Sequence, residues 1–241
     1  MRIVIRRYEV ILIGSVMLLS GAVIPSTWEP PVQNYTRPSI QLPRHPWIAL
    51  TFDDGPHPIM TERLLGVLKQ EHVPGTFFVV GKMADRYPQI VREIAEDGNE
   101  VANHTYSHRR LTKIDTEDAM NELAETRAVI RRLTGRDSVL FRPPGGAYTR
   151  TLVRATSRAG YHMVLWSVLT NDVQGATTHM ISSRILKGAN DGGIILMHSG
   201  IENTVEVLPG VIDKLRERGF HFVTVSTLLG LPPSSEQITT Q

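Results

Sequence analysis

The sequence predicts an α/β fold: a parallel sheet covered by helices, closed into a TIM-like barrel or left open as a doubly wound sheet. Two observations carry this. From Trp47 to Val225, short apolar runs alternate with segments of helical spacing, and continuous apolar strands alternating with helices are the pattern of a parallel sheet buried on both faces. The segments richest in reactive side chains (Asp53-Asp54, His104 with His108, Arg142, Asp172 and His198) each follow the C-terminal end of a predicted strand. In either architecture that end is where sites are built, and five segments meet around one point more simply in a barrel.

The elements follow in order. Trp47–Phe52 is an apolar strand. Ile59–Gln70 has helical spacing at Leu64, Leu65 and Leu68. Thr76–Val80 is β-rich and ends at Gly81. Met83–Glu96 reads as one helix with Ile90, Val91, Ile94 and Ala95 on one face, stopped by Gly98. Glu100–Asn103 is a short strand. Thr116–Leu133 is a long helix, capped by Asp115 or Thr116 and stopped by Gly135. Strand Val139–Phe141, helix Thr149–Ala159, strand Tyr161–Val168, helix Thr177–Lys187, strand Gly193–Met197, helix Val205–Arg218 and strand Phe220–Val225 complete the series, with Gly160, Gly188 and Gly219 as helix stops.

The N-terminus is of another kind. Arg2, Arg6 and Arg7 precede an apolar stretch from Val10 to Ile24, so residues 1–24 read as a secretory signal or a short membrane anchor. The stretch is shorter than the roughly 18 apolar residues of a clear transmembrane helix. Ser20-Gly21-Ala22 offers a signal peptidase a small-residue site. Residues 25–44 hold Pro25, Pro30, Pro31, Pro38 and Pro43 and form a semi-extended linker. Residues 45–230 form a single folded domain, and 231–241 a flexible Ser/Thr/Gln-rich tail. The domain is therefore expected outside the cytoplasm, secreted or tethered to the membrane by its N-terminal segment.

Composition removes other classes. Without cysteine there are no disulfides, thiolate ligands or cysteine nucleophile. The net charge of +2 arises in the leader: residues 1–22 hold three of 26 Lys and Arg and one of 24 Asp and Glu, leaving 23 against 23. With no basic stripe interleaved with aromatics, no nucleic acid is expected as a partner, and no protein partner is implied.

The chemistry lies in the strand-end segments. Asp-Gly-Pro is by itself a turn signal, but Asp53 and Asp54 are adjacent like charges that a cation would relieve. His104 and His108, at i and i+4, put both rings on one side of a helical turn. One carboxylate with two imidazoles makes a three-ligand site for a divalent ion, and the other carboxylate is left to act as a base. Asn103 and Ser107 offer supporting hydrogen bonds. Arg142, in the rigid run Arg142-Pro143-Pro144-Gly145-Gly146, could hold Asp53, and the Gly145 N–H could face a developing oxyanion. Asp172 could bond the far ring nitrogen of His198, raising its pKa and suiting it to act as a general acid.

Thr51–Pro56, His104–His108, Arg142–Gly146, Trp166–Asp172 and Leu196–His198 together resemble, in order and spacing, the five motifs of the polysaccharide deacetylase family, also called the NodB-homology or carbohydrate esterase family 4 domain. The resemblance covers roughly residues 45–230. It implies a distorted (β/α)7-type barrel and a zinc-type ion, Zn2+ or a substitute such as Co2+, on Asp54, His104 and His108. It implies Asp53 as base oriented by Arg142, His198 as acid oriented by Asp172, and Leu196 as a wall of the acetyl-methyl pocket. The implied reaction is hydrolysis of N-acetyl groups on an N-acetylhexosamine polysaccharide such as peptidoglycan, a chitin-type oligomer or an exopolysaccharide. The residues alone leave open another amide, imide or O-acetyl ester substrate, or a carbohydrate-binding module without activity. Four positions depart from the family pattern: Gly145 where a Tyr is frequent, Leu169 and Val173 where an Asp and a Trp are frequent, and Ser199 where an Asp often follows the acid His.

Overall fold

The computed structural model describes residues 45–231. The expected leader, the linker and nearly all of the tail lie outside the described residues. Leu231, the first residue of the expected tail, packs against the core, and its N–H donates to Ser226 O. Among the described residues no helix is long and apolar enough to cross a membrane.

Eight strands form one parallel sheet: β1 Trp47–Gly55, β2 Gly75–Val79, β3 Glu100–Asn103, β4 Leu140–Phe141, β5 His162–Met163, β6 Val168–Leu169, β7 Gly193–His198 and β8 His221–Phe222. Their order is β5-β4-β3-β2-β1-β7-β6, with β8 paired to the start of β1. Eight helices join them: α1 Met60–Gln70, α2 Gly81–Arg86, α3 Pro88–Glu96, α4 Thr116–Thr134, α5 Arg150–Arg158, α6 Thr178–Gly188, α7 Glu202–Glu217 and α8 Val225–Leu228. The result is a curled parallel half-barrel, the distorted (β/α)7 form, and not an open doubly wound sheet.

Side-chain parity along the strands separates an outer core from an interior one, with a further outer cluster of Phe141 and Met163 against Leu123 and Leu152. Ile48, Leu50 and Phe52 of β1, Phe77 and Val79 of β2, and Ile195 and Met197 of β7 join Leu64, Leu68, Leu208 and Ile212 between sheet and helices. The alternate residues Ala49, Phe78, Ala102, Leu140, Val164 and Ile194 fill the interior. Strand side chains alternate between faces, so Thr51 and Asp53 continue the inward column of β1, and Leu196 and His198 that of β7.

Three elements differ from the sequence reading. The predicted helix 83–96 is two helices, because Pro88 disfavours helical geometry at the residue before it: Tyr87 sits at φ −127°, ψ 59°. The predicted last strand stops after Phe222. Thr224 caps α8, its side chain accepting from Thr227 N–H, and Val225 and Leu229 join the interior core.

The third difference closes the barrel. The single predicted strand 161–168 is split into β5, paired with β4, and β6, paired with β7. Val164 N–H still donates to Phe141 O, and Ser167 N–H already donates to Ile194 O. The chain itself crosses from one edge of the sheet to the other between these residues, so no strand ladder spans the seam.

Candidate active site

β1 ends in a bulge between Phe52 and Gly55. Asp54 takes φ 66° there, in the left-handed region that non-glycine residues seldom occupy. On a regular strand the two neighbouring carboxylates would point apart. This turn instead brings both toward one imidazole: His104 Nε2 lies 3.3 Å from Asp54 Oδ1 and 3.7 Å from Asp53 Oδ2.

His104 and His108 do not share a helical turn. The segment after β3 is a loop in which Thr105 and His108 take φ 66° and 59°, and the rings meet at 5.0 Å between centroids. The loop is tied down by backbone bonds: His104 N–H to Val79 O, Gly81 N–H to Thr105 O and Lys82 N–H to Tyr106 O. Asn103 and Ser107 support this loop and not the rings. Asn103 Oδ1 accepts from Thr105 N–H and its Nδ2 donates to Leu123 O, while Ser107 bonds Glu122.

A ligand atom from each of Asp54, His104 and His108 lies within 4.8 Å of the others. His104 Nδ1 is 2.8 Å from Arg142 O. A carbonyl only accepts, so the ring proton is on Nδ1 and Nε2 presents a lone pair. That lone pair faces the Asp54 carboxylate, itself an acceptor, and His108 Nε2 lies 3.0 Å from the same Asp54 oxygen. The Nε2 atoms of both rings thus converge on one Asp54 oxygen, where neutral rings would offer a cation two lone pairs beside a carboxylate. Burial raises the Asp54 pKa, but the two imidazoles outweigh it and hold the carboxyl well below its usual range. The bond to Asp54 in turn lifts His108 above the ordinary histidine value. Two imidazoles and one carboxylate are a donor set suited to a divalent transition ion.

Asp53 is 3 % exposed and Arg142 fully buried. Arg142 Nη1 donates to Asp53 Oδ1 at 2.6 Å and to Thr51 Oγ1 at 2.9 Å. Its Nε and Nη2 donate to Val164 O and Leu165 O, carbonyls of the barrel seam. The guanidinium packs over the Phe78 ring at 4.1 Å.

Across the β1–β7 ladder, Asp53 stands in register with His198. His198 Nδ1 is 2.8 Å from Asp172 Oδ1, and its backbone N–H donates to Asp172 Oδ2. Thr204 Oγ1 donates to Oδ2, while Thr170 Oγ1, 3.1 Å from Oδ1, makes its shorter bond of 2.7 Å to Leu196 O. Burial works against a charged His198, but the Asp172 bond and the nearby Asp53 and Asp54 charges prevail and raise its pKa above the ordinary value. Burial likewise raises Asp172, and the His198 and Thr204 bonds bring it below the usual carboxylate range.

Leu196, buried, points inward two residues before His198 and is in register with Thr51 and Leu169. Leu169 and Val173, at two of the departing positions, are 45 % and 50 % exposed. Gly145 lies in an exposed turn at φ 64°, three residues past Arg142. Ser199 is fully buried, and its hydroxyl has no partner among the described residues. Sequence reasoning missed Thr51, Thr170, Thr204 and Glu122. The first could have been found by strand parity with Asp53. Thr204, at the start of α7, carries no local signal.

The half-barrel matches those of solved carbohydrate-acting hydrolases, among them a family 4 carbohydrate esterase from Streptomyces lividans, with a TM-score of 0.73 at 31 % identity, covering 79 % of this chain and 97 % of that one. The chain belongs to the polysaccharide deacetylase family, whose model matches residues 42–164. It is 35 % identical over 185 residues to a peptidoglycan-N-acetylglucosamine deacetylase of Bacillus cereus, covering 75 % of this chain and 67 % of that protein. It is 33 % identical over 204 residues to the peptidoglycan-N-acetylglucosamine deacetylase PgdA of Listeria monocytogenes, covering 82 % of this chain but only 43 % of the longer relative. The crystal structure of the Bc1960 peptidoglycan N-acetylglucosamine deacetylase superposes with a TM-score of 0.76 at 33 % identity, covering 78 % of this chain and 90 % of that one.

Proposed function

We propose that this chain is a metal-dependent N-deacetylase of cell-envelope peptidoglycan, releasing acetate from N-acetylglucosamine. The observation that carries the reading is the pair of complete proton-handling units, Arg142–Asp53 and Asp172–His198, beside the Asp54–His104–His108 cluster. A module that only binds carbohydrate has no use for a held base and a held acid.

The residues fit a divalent ion on the ground of their donor set and converging lone pairs. Such an ion, Zn2+ or Co2+, would supply Lewis acidity, polarising the amide carbonyl and lowering the pKa of water. Asp53 accepts the proton that water releases as its oxygen adds to the acyl carbon. Arg142 keeps Asp53 aimed. The Gly145 N–H donates to the oxyanion that develops on the carbonyl oxygen. His198, whose pKa Asp172 holds above the ordinary histidine value, gives its proton to the amide nitrogen as the C–N bond breaks. Acetate and a free amine result. Leu196 offers the acyl methyl an apolar wall.

Peptidoglycan is favoured as substrate because the similar proteins are named for it and because the Arg-flanked apolar segment 10–24 would hold the domain outside the membrane, next to that polymer. The test is acetate release from peptidoglycan by the purified chain, with chelator and after Zn2+ or Co2+ is restored. Release that the chelator abolishes and the ion restores supports the reading; no release from any acetylated glycan with the ion bound refutes it.

A further inference from the structure

The loop carrying both candidate imidazoles is held in an uncommon conformation, with Thr105 and His108 in the left-handed region, and such backbone persists only where surroundings over-determine it. The two rings are secured differently. His104 is buried and fixed from behind by the Arg142 carbonyl. His108 is 44 % exposed at its side chain, and its ring bonds Asp54 and stacks near His104, members of the same cluster. Its position therefore depends on the backbone just before it. There Ser107 N–H donates to Glu122 Oε2 at 2.7 Å and Ser107 Oγ to Glu122 Oε1 at 2.5 Å. Both oxygens of one carboxylate on α4 clamp one residue of the loop. The next residue of α4, Leu123, accepts from Asn103 at the loop's other end.

We infer that Glu122 is a positioning residue for the metal centre: through Ser107 it sets where His108 stands, and so how tightly the cluster holds a divalent ion. The inference rests on reading the cluster as a divalent-ion site. The carboxylate is matched to its task, since two donors on one residue need two acceptor oxygens. Gln keeps one acceptor, and Ala keeps none. Loss of outer-shell support of this kind typically weakens metal binding about 10- to 100-fold.

The measurement is the Zn2+ dissociation constant of the full chain, by competition with a chromophoric chelator, for wild type, Glu122→Ala, Glu122→Gln and Ser107→Ala. Glu122→Ala should bind Zn2+ about 10- to 100-fold more weakly, with Glu122→Gln between it and wild type. Melting of the ion-free protein should be unchanged, and deacetylation should recover when Zn2+ is raised to saturation. Adding Ser107→Ala to Glu122→Ala should weaken binding no further, because the clamp is already gone. Zn2+ affinity of Glu122→Ala within twofold of wild type would overturn the inference while leaving the ion site intact. If Glu122→Ala fails to fold, Glu122→Gln and Ser107→Ala decide by the same criterion. A wild-type chain that binds no Zn2+ would overturn the ion site itself, and this inference with it.

Discussion

Arg142 holds Asp53 from inside the seam of the barrel. Nη1 of its guanidinium donates to the Asp53 carboxylate and Thr51, and the remaining donors meet Val164 and Leu165 carbonyls where the strand ladder is interrupted. The proposed base is thus fastened by a residue that also closes the fold.

That double duty separates two substitutions. Arg142→Lys keeps a charge but cannot reproduce a planar fork serving four acceptors. Arg142→Ala leaves Asp53 buried without its partner, and breaking a buried pair in this way costs about 3–5 kcal/mol. Denaturant unfolding should show that loss for Ala and a smaller one for Lys, with activity low in both.

Asp53→Asn removes the proposed base while keeping its shape. Activity should fall about 10²- to 10⁴-fold, the usual worth of a positioned base. Zn2+ content by elemental analysis should stay at the wild-type level, because the ligand atoms belong to Asp54, His104 and His108. An Asp53→Asn variant that remained active would exchange the roles of the two aspartates.

Asp172→Asn tests the acid. His198 has a raised pKa in the folded protein, so it is protonated, and able to give its proton, up to a pH above the ordinary histidine value. Removing the Asp172 charge lowers that pKa. The alkaline limb of the rate profile should then move to lower pH, with the acid limb in place. A limb that stays where it was would assign the proton to another group.

Gly55 lies where β1 and β7 converge. A Cβ added there would stand 2.7 Å from Ser199 Oγ and 3.0 Å from Ser199 Cβ, so Gly55→Ala must push apart the strand ends that carry Asp53 and His198. Overpacking of this kind costs about 1–3 kcal/mol. Thermal unfolding should register it, together with a drop in turnover, and adding Ser199→Gly should restore both.

Most strands were legible as short apolar runs, several of them followed by a reactive residue, as Trp47–Phe52 is by Asp53 and Gly193–Met197 by His198. The break at Tyr87 was legible in principle from Pro88. The split of residues 161–168 was not, because pairing with β4 and then β7 is decided by partners distant in the chain. The i,i+4 spacing of His104 and His108 suggested a helix, and the loop that replaces it depends on Glu122 and Leu123 of α4. Thr204 reaches Asp172 from the start of α7, 32 residues away in the chain. Local pattern thus yields the reactive groups, and tertiary contact decides which side chains hold them.

The most direct test of the central claim is mass analysis of muropeptides from peptidoglycan treated with the Zn2+-loaded chain. Fragments should be lighter by one acetyl group on N-acetylglucosamine, a loss absent with chelator and absent with Asp53→Asn carrying Zn2+. Fragments of unchanged mass under the metal-loaded wild-type chain, or the same loss from the chelated one, would contradict it.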